Sequence, residues 1–160
     1  MKVWDWRHEE IVAELPARGF EALQFDADGG RLAVGTADTR IWDVRTGRLL
    51  VTLPSTQVLP NSIAFSPDGA RVAEGDPDGT VRVFDTSSGE ELLALQGHDT
   101  VDQVAFSPDG SMLATLGGGL LRIWALEIDD LLEIAHQSVT RTLTDEECRQ
   151  YLHVESCPVF

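Results

Sequence analysis

Residues 65–69 read Phe65-Ser66-Pro67-Asp68-Gly69, and residues 106–110 repeat them as Phe106-Ser107-Pro108-Asp109-Gly110. An earlier variant stands at Phe25-Asp26-Ala27-Asp28-Gly29. Proline presets φ and glycine tolerates positive φ, so each segment reads as a turn that reverses the chain. A second landmark keeps the same step: Val3-Trp4-Asp5, Ile41-Trp42-Asp43, Val83-Phe84-Asp85 and Ile123-Trp124-Ala125. Its aromatic positions are 38, 42 and 40 residues apart, and each turn Phe precedes its aromatic by 17, 19 or 18 residues. Two landmarks in phase over three copies define an internal repeat of about 40 residues.

Each copy reads as four strands. In the middle copy, Ser62–Phe65 runs into the Ser-Pro-Asp-Gly turn and Arg71–Glu74 returns. Asp76-Pro77-Asp78-Gly79 turns again, and Thr80–Asp85 alternates, with Val81 and Val83 on one face and Arg82 and Phe84 on the other. Ser87-Ser88-Gly89 then leads to a fourth strand, Leu92–Leu95. Short strands with a turn every 8–12 residues or so indicate an all-β sandwich, barrel or propeller. A repeat of about 40 residues selects the propeller, one repeat per blade.

The combination resembles the WD-repeat family over roughly residues 1–126. It rests on the turn copies, on Trp4-Asp5 and Trp42-Asp43, and on Gly97-His98 before the last copy. The resemblance implies blades tied by a turn Asp, a Gly-His histidine, a strand Ser or Thr and a strand Trp. The candidates here are Asp38, Trp42, Asp78, His98, Thr115 and Trp124. The set is incomplete: Gly118 stands where the last copy needs its Asp, Phe84 replaces Trp, and the first two copies lack the His. The resemblance also implies a binding face where first strands begin and middle turns project. That places Glu21, Asn61 and Asp102 at strand starts, Leu59 and Thr100 two positions earlier, and Ala37 and Pro77 beside the turn aspartates.

Counting strands predicts an arc: a half blade over 1–16, blades over 17–56 and 57–98, and a three-strand blade over 99–126. Propellers usually have about 4–8 blades. The expectation is therefore a piece of a longer protein, with completion by a second copy or an open arc as alternatives. Residues 127–160 change period. Ile128, Leu131, Leu132, Ala135 and Val139 follow helical spacing, and Thr144 with Glu147 reads as a capping box for a second helix. This helical tail resembles the segment after WD repeats in large bacterial signalling proteins, through Thr140–Thr144, Glu146–His153 and Cys157-Pro158. That likeness implies the C-terminal end of a sensor domain.

The formal charge of −15 argues against nucleic-acid phosphates and anionic lipid as partners. The expected partner is a protein or peptide, basic where electrostatics selects it, with a homo-oligomer through open blade edges as a further outcome. No apolar run approaches the roughly 18 residues of a membrane span, and the expected location is cytoplasmic. Cys148, His153 and Cys157 supply only three ligands where structural zinc takes four, so the cysteines read as core thiols, with a disulfide or zinc as the alternatives, and no cofactor is expected. Ser66, Ser107 and Ser111 lie outside any nucleophile-elbow motif. Gly117-Gly118-Gly119 lacks the Lys-Ser/Thr of a phosphate loop. Asp28, Asp68 and Asp109 read as turn formers, His98 as a blade tie, and His8 and His136 as solvated. The function implied is a non-catalytic protein-binding scaffold, with a structural assembly piece as the alternative.

Overall fold

Strand-forming runs of β-branched and aromatic residues alternate with Gly, Asp and Ser turns throughout, and the backbone follows them. The computed structural model describes residues 1–16, 19, 21–54 and 58–126. Thirteen strands are found among these residues. The first sheet pairs β1 (Lys2–Asp5) with β2 (Glu10–Glu14). The second orders β3 (Ala22–Phe25), β4 (Arg31–Gly35), β5 (Arg40–Asp43) and β6 (Leu49–Thr52). The third orders β7 (Ser62–Phe65), β8 (Arg71–Gly75), β9 (Thr80–Asp85) and β10 (Glu91–Gln96). The fourth holds β11 (Gln103–Phe106), β12 (Met112–Gly117) and β13 (Leu120–Ala125). Every pairing is antiparallel between chain neighbours. This is the all-β, partial-propeller arrangement that the repeat indicates. The tail helices, the Cys148, His153 and Cys157 set and His136 lie outside the described residues.

The core consists of three apolar seams, one between each pair of successive sheets. Ala13 and Leu15 meet Leu32, Val34 and Trp42 in the first seam. Ala33, Ile41 and Leu53 meet Ile63, Val72 and Phe84 in the second. Ala73, Val81 and Val83 meet Val101, Val104 and Leu113 in the third, with Trp124 against them. Alternation puts successive side chains into different seams: Val72 faces back, Ala73 faces forward. Each buried Val, Leu or Ile contributes about 1.5–3 kcal/mol, so the inner sheets are held mainly by their neighbours.

Turn chemistry follows a rule of its own. Asp68 Oδ1 accepts from Ser66 Oγ at 2.5 Å and from the Ala70 amide at 3.0 Å. Asp109 does the same with Ser107 Oγ at 2.5 Å and the Ser111 amide at 3.0 Å. In the earliest copy Asp26, at the position of Ser66 and Ser107, takes the Arg31 amide at 3.0 Å and Arg31 Nε at 2.8 Å. Arg31 then crosses to the third sheet, donating to the Gly69 carbonyl at 2.7 Å and covering the Phe65 ring at 5.3 Å. Arg71 repeats this toward the fourth sheet, at 2.9 Å from the Gly110 carbonyl and 5.8 Å from the Phe106 ring. The corresponding residue of the fourth sheet is Met112.

Candidate partner-binding face

The backbone collects the predicted face at one end of the sheets. The amide before each first strand bonds to a carbonyl at the end of the second: Glu21 to Gly35 at 3.2 Å, Asn61 to Gly75 at 2.8 Å, Asp102 to Leu116 at 2.7 Å. Strand starts therefore lie beside the middle turns that carry Ala37 and Pro77. Glycine makes the close approach possible. A Cβ on Gly75 would stand 2.5 Å from Val101 Cγ1, and one on Gly117 would stand 1.8 Å from the Thr100 carbonyl oxygen.

Within this end, Asn61 and Thr100 come together. Asn61 Nδ2 donates to the Val101 carbonyl at 2.8 Å and lies 3.5 Å from Thr100 Oγ1. Ala37 and Leu59 line an open cleft of about 580 Å³ whose other walls include Leu15, Pro16, Thr36, Asp38 and Arg40. Glu21, Pro77 and Asp102 are exposed beside these loops and do not line the cleft. The face is acidic. Glu21, Asp78, Asp99 and Asp102 are exposed, while Arg40 lies 3.7 Å from Asp38 and Arg82 is ion-paired to Asp76. Partial burial works against ionising Asp78, but the Thr80 amide and hydroxyl and the Arg82 guanidinium hold its carboxyl below the usual range. An acidic surface whose cations are already paired attracts positive ligands.

Of the blade-tie candidates, the structure joins three. Thr115 Oγ1 lies 2.8 Å from His98 Nε2 and accepts from Trp124 Nε1 at 3.0 Å, and His98 Nδ1 is 3.3 Å from the Gly117 carbonyl. Trp42 has no such tie: its Nε1 is buried and unpartnered among the described residues. The register explains this, since Val34 stands where Thr115 does, and offers no hydroxyl. Asp38 pairs instead with Arg40, and Asp78 caps its own turn through the Thr80 amide at 2.9 Å. His8 is exposed and its ring nitrogen lies 2.7 Å from Asp5, so it is paired as well as solvated.

Sequence reading missed two features. The aspartates of the Trp-Asp and Phe-Asp pairs cap the following hairpins, Asp43 taking the Thr46 amide at 2.7 Å and Asp85 the Ser88 amide at 2.8 Å. A second cleft, about 650 Å³, opens at the opposite end between Trp4, Trp6, Ile11, Phe25, Val44 and Arg45. The Trp4-Asp5-Trp6 stretch was its signal in the sequence.

Comparison with known proteins adds independent findings. Residues 47–85 and 89–125 match the family described as WD domain, G-beta repeat. WD repeat and SOCS box-containing protein 1 of Xenopus tropicalis is 35% identical over 126 residues, covering 73% of this chain and 30% of that protein. Its Homo sapiens counterpart is 35% identical over 124 residues, covering 72% and 30%. WD repeat-containing protein VIP3 of Arabidopsis thaliana is 34% identical over 114 residues, covering 61% of this chain and 36% of that protein. The chain thus spans about three tenths of the length of the first relatives it matches.

Proposed function

The chain carries WD repeats, and we propose that it acts as a non-catalytic scaffold binding a protein or peptide at the acidic end of its sheets. The observation that carries this reading is the convergence at one end of Ala37 and Leu59 around the cleft, with Asn61 and Thr100 tied beside them. Loops on a rigid scaffold are where binding residues concentrate. Repeated sheets supply the rigidity, and exposed Glu21, Asp99 and Asp102 favour a basic ligand. A place in the sensor part of a larger signalling protein fits this role.

The test is selection of a random dodecapeptide library on the immobilised chain. Recovered peptides should be rich in Lys and Arg, and Ala37→Arg combined with Asp102→Lys should abolish their binding. Recovery of acidic or purely apolar peptides, or binders indifferent to both changes, would refute the reading.

One observation favours assembly as a second reading. The forward face of the fourth sheet exposes Leu121 by 60% and Ile123 by 64%, whereas Val83, at the position of Ile123 in the third sheet, is 2% exposed. A face built like an inner seam invites another sheet. Light scattering over a tenfold concentration range separates the two: a defined dimer or trimer supports assembly, and a monomer at all concentrations rejects it.

A further inference from the structure

The seam between the second and third sheets is apolar along most of its length and ends in buried charge. Glu74 on β8 is 6% exposed, at the register position held by Thr115 in the fourth sheet and Val34 in the second. Asp76, just beyond β8, is 1% exposed and ion-paired to Arg82 of β9. The second sheet brings Thr39, whose buried hydroxyl faces the Glu74 carboxyl without closing a hydrogen bond of normal geometry. Thr39 Oγ1, Glu74 Oε1 and Asp76 Oδ1 all lack hydrogen-bond partners among the described residues.

The charges around Glu74 do not balance. Among the described residues Arg82 is the cation acting on Glu74, and besides Asp76 it is drawn to Asp78 at 3.7 Å and Glu91 at 3.6 Å. Asp38 and Arg40 of the second sheet pair with each other and line the cleft instead. Two neighbouring buried carboxylates cannot both ionise cheaply beside a shared guanidinium. A proton on Glu74 removes one negative charge and makes its carboxyl a hydrogen-bond donor facing the Thr39 hydroxyl oxygen.

We propose that Glu74 is a proton-operated latch between the second and third sheets, protonated while the seam is closed and giving that proton to solvent water when it ionises. Burial, reinforced by Asp76 and opposed by Thr39 and Arg82, pushes its pKa up from 4.5 to about 7. The folded seam thus keeps a proton that the opened chain releases above about 4.5. Stability from the latch is full below that pH, declines as pH rises toward 7, and levels off beyond it.

The experiment follows the Glu74 side-chain carboxyl by carbon-13 NMR in the full chain from pH 4 to 9, assigned with Glu74→Gln, alongside urea unfolding across the same range. The carboxyl should titrate near 7. The unfolding constant should rise by up to about tenfold per pH unit between about 5 and 7, and Glu74→Gln should lose that rise. Glu74→Thr, which installs the fourth sheet's residue, serves as the second variant and should be equally flat. Titration near 4.5 overturns the latch, as does an unchanged pH dependence in both variants. Stabilisation at pH 8 by millimolar calcium or magnesium that Glu74→Gln abolishes would assign the site to a cation and overturn it too.

Discussion

Single side chains decide whether a sheet is tied or merely packed. Thr115 is fully buried and holds both His98 and Trp124. Thr115→Val keeps the shape and strands both ring nitrogens, so it should cost about 1–3 kcal/mol in urea unfolding. The reciprocal change tests the same logic. Val34 and Trp42 occupy the equivalent positions in the second sheet, and the Trp42 indole nitrogen there is buried without a partner. Val34→Thr should give it an acceptor and stabilise the chain by about 1 kcal/mol, within the usual net value of a buried hydrogen bond; destabilisation instead would show that the two positions are not equivalent in space. Much at this scale was legible in the sequence once the resemblance to WD repeats supplied the tie: it pointed to His98, Thr115 and Trp124, which the structure joins. The pairing of Asp38 with Arg40 was not legible, since the turn is two residues short there and the carboxylate swings to a neighbour that spacing does not reveal.

Turns and crossing arginines set the elements in place. Ser87 and Ser88 hydrogen bonds hold the Asp85 carboxyl down to about 2, and Ser107 and Ser111 do the same for Asp109. A lowered carboxylate pKa contributes stability that is present above the ordinary value near 3.8 and lost as pH falls toward 2. Acid unfolding monitored by circular dichroism should therefore begin below about pH 4, and Asp85→Asn should flatten part of that limb. Arg31 clamps the second sheet to the third, so Arg31→Met, the residue found in the fourth sheet as Met112, should cost about 1–3 kcal/mol. Faster hydrogen exchange at the Phe65 and Arg71 amides would accompany it, and unchanged exchange would deny Arg31 that role. Gly79 has φ of +84°, and a Cβ there would stand 1.9 Å from the His98 carbonyl oxygen, so Gly79→Ala should be among the most damaging changes in the chain. The sequence marked each turn and named Asp68 and Asp109 as the working carboxylates of two, but not that of the earliest copy. Asp28 matched the motif, yet Asp26 makes the bonds, because the Ser of the later copies is itself replaced by Asp. The Arg31 and Arg71 clamps were hidden because they act between copies, and a pattern read within one copy does not contain them.

At the scale of the whole molecule, repetition made the fold readable: the same turn and aromatic landmarks recur every 40 residues or so. The binding end was accessible only through resemblance, because loop side chains obey no period. The structure then brings Ala37, Leu59, Asn61 and Thr100 to one end by backbone bonds that the sequence does not display. The opposite end carries its own cleft with exposed Trp4 and Trp6, which makes location the decisive question. The most direct test is a nitrogen-15 chemical-shift titration of the full chain with the Lys- and Arg-rich peptide recovered from the library. Shifts should concentrate at Glu21, Ala37, Leu59, Asn61, Thr100 and Asp102 and fade with added salt. Shifts confined to Trp4, Trp6, Phe25 and Arg45, or indifferent to salt, would contradict the assignment of function to the acidic end.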